Sequence, residues 1–191
     1  GYLAELPIGI TASHVLYVNK KLLDDMGLSV PKTYKELKAM APKLKAAGKD
    51  VILLGAQDDW VLQSCFYSMI VGRMLGNEYV DKLKAGEVKF TDKPFVNTLK
   101  FYQSLYKDGI LSPKIMQITY SDVNSLFAKG KAPFMIDGDW KVGDFLTDDT
   151  TGDALISPEE QKNFIMTVFP AIPGEVNKNT SSVLPGCGLG I

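Results

Sequence analysis

A short, uninterrupted apolar run at residues 51–54 constrains the fold more than any other feature of the chain. Segments with helical periodicity lie on either side of it, one ending near Ala47 and the next beginning near Trp60. A strand in which every side chain is apolar needs cover on both faces, whereas a half-exposed strand alternates apolar and polar residues. The run therefore predicts a strand that is covered on both faces, flanked by helices.

The helix before this run carries the clearest boundary signals in the sequence. Thr33 and Glu36 form a Thr-x-x-Glu capping box at its start, and Gly48 follows its end. Apolar residues recur between them at helical spacing, at Leu37, Met40, Ala41 and Leu44. Pro42 lies inside this pattern, so we expect a kink or a local break there.

Strands and helices alternate along the rest of the chain. The other predicted strands cover residues 16–18, 132–136, 164–169 and 183–191. The other predicted helices cover residues 20–26, 60–75, 77–84, 94–108, 121–128 and 140–146. Such alternation is typical of α/β layer folds, and no segment has the composition of a linker. We therefore predict a single α/β domain over residues 1–191.

Composition argues against several classes of function. The net charge is −1 and the basic residues form no stripe, so we expect no nucleic-acid partner. No apolar run reaches the ~18 residues of a membrane span. One histidine and two cysteines, Cys65 and Cys187, give no zinc motif, and their pairing stays open. Asp148, Asp149 and Asp153 miss the spacing of a calcium loop, so we predict neither metal nor cofactor.

Four stretches of the sequence, in this order, resemble one known family. They are a Leu-Pro start with Tyr-x-Asn-Lys and Pro-Lys-Thr-Tyr-x-Glu-Leu (residues 6–37), Leu-Leu-Gly-Ala-Gln-Asp-Asp-Trp (53–60), Phe-Ala-Lys-Gly-Lys-Ala-Pro-Phe-Met-Ile-Asp-Gly-Asp-Trp (127–140), and Phe-Pro-Ala-Ile-Pro-Gly with a later Gly-rich strand (169–191). Together they are similar to the extracellular solute-binding proteins of bacterial ABC transporters, in particular the sugar-binding family that includes maltose-binding protein. Tyr34 stands where that family usually has Trp.

The resemblance implies a fold, a function and a location. The chain resembles the second lobe of a periplasmic-binding-protein type II fold, a central sheet with helices on both faces. We expect the first lobe and the terminal helices to lie outside this fragment. The whole protein would capture a carbohydrate, most simply an oligosaccharide, between its lobes and deliver it to an ABC permease. It would be periplasmic or held at the cell surface by a lipid anchor outside the fragment, and the isolated lobe would self-associate through its uncovered face.

The resemblance also implies ligand contact for Asp58, Trp60 and Trp140, and residue type adds Asp139, which gives two pairs of an acid and an aromatic residue. These are Asp58 with Trp60 and Asp139 with Trp140, and each pair follows a predicted strand. Aromatic rings cover the C–H face of a sugar, while carboxylates accept hydrogen bonds from its hydroxyls. Ligands of open α/β sheets gather beyond the carboxyl ends of the strands. Each acid is also placed to cap the helix that follows it, and each Trp is also a candidate for the core.

Two residues of the first stretch complete the predicted site. Ser13 and His14 lie where family members sometimes contact ligand, although a single histidine is more often a packed or surface residue.

Other functions remain open on the sequence. A peptide, a polyamine or a phosphate ester is an alternative ligand, since acids beside aromatic rings also suit a cation. A glycoside hydrolase would need two of Asp137, Asp139 and Asp144 to face each other across one pocket. A module that binds another protein would show a large apolar patch without a pocket.

Overall fold

A computed structural model describes residues 5–7, 10–146, 153–178, 180–185 and 188–190. The α-helices are α1 (Lys20–Asp25), α2 (Tyr34–Ala46), α3 (Ser68–Leu75), α4 (Asn77–Lys84), α5 (Lys93–Lys107), α6 (Asp122–Ala128) and α7 (Pro158–Gln161). A π-helix covers Val61–Tyr67, and 3₁₀ helices cover Pro113–Gln117 and Asp139–Phe145. The strands are β1 (Glu5–Pro7), β2 (Ile10–Ser13), β3 (Val15–Asn19), β4 (Ile52–Leu53), β5 (Phe134–Asp137), β6 (Phe164–Thr167), β7 (Ser182–Pro185) and β8 (Gly188–Gly190).

A four-stranded mixed sheet in the order β4-β5-β3-β6 forms the centre of the fold. Strand β4 is parallel to β5, and β3 is antiparallel to both of its neighbours, β5 and β6. Successive side chains of a strand point to opposite faces, so β3, β4 and β5 each supply residues to two cores. In β3, Leu16 and Val18 pack with one hydrophobic cluster and Tyr17 with the other. The larger cluster holds residues of α2, α3 and α5, and the smaller holds residues of α6.

The prediction for residues 51–54 is confirmed. All of them are buried, Ile52 and Leu54 in the larger cluster and Leu53 in the smaller one. The predicted fold class, a central sheet with helices on both faces, is confirmed with it, because the two clusters lie on opposite faces of the same strands.

Helix α2 begins at the predicted capping box. The backbone N–H of Glu36 donates to Thr33 Oγ1 at 3.2 Å, and Glu36 Oε2 accepts from the backbone N–H of Lys32 at 2.7 Å. The predicted apolar stripe is buried. The break predicted at Pro42 was wrong, since α2 continues past it to Ala46. Packing of the stripe against the sheet outweighs the single backbone hydrogen bond that a proline removes.

Two other segments differ from their predictions. Residues 60–75 were predicted as one α-helix, but its first half is the π-helix, and α-helical geometry begins only at Ser68. Residues 183–191 were predicted as one strand, but two short strands stand there, β7 paired with β2 and β8 paired with β1. Periodicity cannot separate these cases, because they depend on which distant backbone groups the segment meets.

Two sequence-based predictions lie outside the described residues. They concern the pairing of Cys65 with Cys187 and most of the acidic segment around Asp148. None of the helices in the described ranges is both long and apolar enough to cross a bilayer.

Candidate functional site

The predicted site residues meet at one edge of the central sheet. Strands β4 and β5 run parallel, so both end at this edge. Strand β3 runs the opposite way and begins there, with its first residue, Val15, paired to the last residue of β5, Asp137. The segments after β4, after β5 and before β3 therefore converge, and they carry both acid–aromatic pairs together with Ser13 and His14.

Both tryptophans lie at the surface rather than in the core. Trp60 is 41% exposed and Trp140 is 39% exposed. A third aromatic residue, Tyr120, joins them. Its ring packs on Trp60 with centroids 4.8 Å apart, and its hydroxyl accepts a hydrogen bond from Trp140 Nε1 at 2.6 Å. The two indoles and the phenol form one continuous surface, which we call the aromatic platform (Trp60, Tyr120 and Trp140).

Several contacts fix Tyr120, which the sequence analysis missed. Its backbone N–H donates to Asp58 Oδ2 at 2.8 Å, and Lys141 Nζ lies 3.5 Å from its ring centroid. Gly55 permits the close approach, because a Cβ there would lie 2.6 Å from the Tyr120 Cα. The one sequence signal was an aromatic residue in a polar loop just before a predicted helix. That loop meets the site only through tertiary packing.

Each acid of the predicted pairs binds a distant backbone group and caps no helix. Asp58 holds Tyr120, while Asp139 Oδ2 accepts from the backbone N–H of Ala12 at 2.9 Å. The capping alternative is therefore wrong for both acids. Both side chains are partly exposed. A carboxylate has about four acceptor positions, so each acid keeps capacity for ligand hydroxyls beside the platform.

Ser13 and His14 lie behind the platform rather than on it. His14 is 1% exposed, and its ring meets Trp140 edge-on at 6.3 Å between centroids. Ser13 Oγ is 3.0 Å from His14 Nδ1, while Nε2 has no partner among the described residues. Burial lowers the pKa of His14 to about 4, so the ring is neutral at pH 7. In this arrangement the His14 ring packs against Trp140 and Ser13 contacts His14, and both side chains are buried.

The end of β5 supports Trp140 from below. A Cβ at Gly138 would lie 2.2 Å from the indole, so only glycine lets the ring lie flat on the backbone there. The Tyr17 hydroxyl donates to the Gly138 carbonyl at 2.6 Å and fixes that peptide. Asp137 is buried beneath it, and burial raises the pKa of this carboxyl to about 6.

The three acids named in the hydrolase alternative each contact a group of the protein itself. Asp137 Oδ1 accepts from the Gly138 N–H at 2.8 Å, and Asp139 is held by Ala12. Asp144 binds Asn124 and lies 3.4 Å from Lys141 Nζ. The hydrolase alternative requires two carboxyl groups that face each other across one pocket, and each of these three is in contact with a group of the protein itself. Within the described ranges no cluster of His, Cys, Asp or Glu could hold a metal ion.

Known proteins match this chain in sequence and in fold. A probable sugar-binding periplasmic protein of Mesorhizobium japonicum is 28% identical over 148 residues, which are 73% of this chain and 33% of that protein. A structure from work on xylan utilization by Caldanaerobius polysaccharolyticus superposes with a TM-score of 0.77 at 24% identity, covering 94% of this chain and 45% of that one. A chitin oligosaccharide binding protein superposes with a TM-score of 0.74 at 23% identity, covering 98% of this chain and 45% of that one.

The chain thus spans about a third of the length of that curated relative, and the solved structures share its fold. The family model described as bacterial extracellular solute-binding protein matches residues 2–186. The chain therefore belongs to the bacterial extracellular solute-binding protein family, as its sequence motifs indicated.

Proposed function

We propose that this chain is one lobe of a two-lobed protein that captures a carbohydrate outside the cytoplasmic membrane for an ABC importer. The aromatic platform carries the proposal, since three neighbouring aromatic rings held at the surface suit a chain of sugar rings. Trp60 and Trp140 stack on the C–H faces of the sugar, and Tyr120 extends the surface between them. Asp58 and Asp139 accept hydrogen bonds from sugar hydroxyls.

The relatives support a carbohydrate ligand and a larger parent protein. One is named a probable sugar-binding periplasmic protein and another a chitin oligosaccharide binding protein. The chitin oligosaccharide binding protein and the structure from the xylan-utilization work are each more than twice as long as the part that this chain matches. The second half of the cleft therefore comes from the rest of the protein. We infer a hinge-like closure of two lobes on the sugar, after which the closed form docks on the permease.

Capture without chemistry fits the same surface. The carboxylates that a hydrolase would use are engaged by the protein's own groups, as described above, and the family is a component of transport systems. The periplasm or the cell surface is the matching location, with any lipid anchor outside this segment. The isolated lobe should self-associate at high concentration, through the face that the rest of the protein would cover.

Isothermal titration of the two-lobed protein with maltohexaose, xylohexaose and chitohexaose tests this function. We expect at least one of these sugars to bind, and expect Trp60→Ala and Trp140→Ala each to weaken binding by about tenfold or more, in the range of a buried aromatic anchor. Phe90→Ala is the matched control, because Phe90 is an exposed aromatic residue packed on Phe95 elsewhere on the surface. Its affinity should equal that of the unmodified protein.

Two results would contradict the proposal. One is binding of spermidine or peptides with no heat from any of the sugars. The other is sugar binding that Trp60→Ala and Trp140→Ala leave unchanged, which would move the sugar site away from the platform.

A further inference from the structure

A chain of hydrogen bonds leads from the surface of the aromatic platform to a buried acid. Trp140 Nε1–H donates to the Tyr120 hydroxyl at 2.6 Å. The Tyr120 hydroxyl in turn donates to Asp137 Oδ1 across 3.4 Å. Asp137 is 1% exposed, so this chain of hydrogen bonds ends in the interior. The exposed indole is therefore linked to the interior through a single hydroxyl.

The geometry requires a defined direction for the proton of each of these two hydrogen bonds. An indole N–H can only donate, so the Tyr120 oxygen must accept from it. The phenol donates its own proton to Asp137, which accepts best when it is ionised. The second oxygen of that carboxyl, Oδ2, has no partner among the described residues, so a proton can settle there without breaking another contact.

We propose that Asp137 is a positioning residue for the Trp140 indole, acting through the Tyr120 hydroxyl, and that its ionised form holds the platform in its binding geometry. The effect on sugar affinity rests on the function proposed above. The effect on the indole does not, because it concerns atoms of this chain alone.

Charged and titratable groups surround Asp137 from each element packed against it. Lys141 and Asp144 face it from the 3₁₀ helix, Tyr17 from the neighbouring strand β3, and Tyr120 from the loop. Burial raises the pKa of Asp137 to about 6, with Lys141 and the Gly138 N–H opposing the rise. The proton should therefore leave this carboxyl between about pH 5 and 7.

NMR of the indole N–H provides a test that needs no ligand. The chain has two tryptophans, so Trp60→Phe leaves a single indole resonance, that of Trp140. We expect its ¹H and ¹⁵N shifts to titrate with a midpoint near pH 6. This pH-dependent change of the indole shifts, the titration step, should vanish when Asp137→Asn is added. The resonance should then hold one position from pH 5 to pH 7.5.

Two further variants separate a relay from a general structural effect. Tyr120→Phe removes only the linking hydroxyl, so it must also abolish the step, which keeps the test valid if Asp137→Asn fails to fold. Asp144→Asn removes a neighbouring carboxylate that is outside the chain of bonds, and it must keep the step with a small displacement of its midpoint. A step that persists in Asp137→Asn or Tyr120→Phe, or no step in the Trp60→Phe parent, overturns the proposal.

The sugar that binds in the titrations above gives the functional readout in the two-lobed protein. Its affinity should fall about fivefold between pH 7.5 and pH 5, as expected for the weakening of one hydrogen bond, and should be independent of pH in Asp137→Asn. If no sugar binds, the proposed function fails while the NMR step stands. If a sugar binds but Asp137→Asn keeps the pH dependence, the relay fails and the function stands.

Discussion

Replacing His14 with Phe should make the protein less sensitive to acid. His14 is enclosed behind Trp140, and burial lowers its pKa from the ordinary value of 6.5 to about 4. The ring takes up a proton near pH 6.5 in the unfolded chain but only near pH 4 in the folded protein. The protein therefore keeps its full stability above pH 6.5 and loses stability as the pH falls towards 4. At pH 5 this linkage costs about 2 kcal/mol, and below pH 4 about 3 kcal/mol.

Phenylalanine keeps an aromatic ring against Trp140 but cannot titrate. The variant loses the contact between His14 Nδ1 and Ser13 Oγ, a cost that is the same at every pH. Comparing each protein with itself at two pH values removes that constant cost. Between pH 7.5 and pH 5 the unmodified protein should therefore lose about 2 kcal/mol more than His14→Phe, or about 4–8 °C in melting temperature for a chain of this size.

Thermal denaturation followed by circular dichroism at the two pH values measures this difference. The chain has one histidine, so its imidazole resonance also reports the pKa directly by NMR. Equal pH slopes for the two proteins, or an imidazole that titrates near 6.5, would show that the ring is open to solvent in solution. Either result would refute the placement of His14 behind Trp140.

Three further predictions concern Asp137, Gly138 and Arg73. Asp137→Asn should remove a pH dependence of the opposite sign. In the unmodified protein the raised pKa of Asp137 gives stability that is full below pH 3.8 and is lost as the pH rises through about 6, about 3 kcal/mol in all, and urea denaturation measures it. Gly138→Ala should push the indole off the backbone that it covers and weaken sugar binding by about tenfold or more, measured by calorimetry. Arg73→Met should cost about 3–5 kcal/mol, because it leaves Glu175 buried without its partner, and adding Glu175→Met should restore most of the loss.

Matched variants and contrary outcomes accompany these predictions. Gly143→Ala is the control for Gly138→Ala. Gly143 lies in the 3₁₀ helix that follows Gly138, and a Cβ there would meet nothing within 4 Å, so this variant should leave sugar binding unchanged. Lys82→Met breaks an exposed pair with Glu78 and should cost less than about 1 kcal/mol. The Asp137 argument fails if the stability of Asp137→Asn in urea changes with pH as that of the unmodified protein does. The Gly138 argument fails if Gly138→Ala binds sugar with full affinity. The Arg73 argument fails if Arg73→Met and Lys82→Met lower the free energy of unfolding equally.

Local chemistry explains which parts of the fold could be predicted from the sequence. The covered strand at residues 51–54 and the capping box of α2 depend on residues within a few positions of each other, and both predictions were confirmed. The π-helix could not be predicted, because its residues have the same apolar pattern as an α-helix. Tertiary packing also carried α2 through Pro42, which local propensity alone assigns to a break.

The site shows the same division between local and distant causes. The exposed positions of Trp60 and Trp140 agree with the expectation from the motifs, since each follows a strand that ends at the same edge. The partners of the acids did not follow from the sequence. Asp58 binds a backbone group 62 residues away, and Asp139 binds one 127 residues away. Tyr120 was missed for this reason, as its role comes from the fold that brings it between the two indoles.

The mixed sheet has a consequence for how proteins of this kind diverge. The apolar strands β3, β4 and β5 set the scaffold, while the turns at their shared rim carry the aromatic rings and the acids. A lineage can therefore lengthen or rewrite one turn, and so change the side chains presented at this rim, without disturbing the register of the strands. Changes of the rim surface then fall on a few loop positions, while selection for folding acts on a separate set.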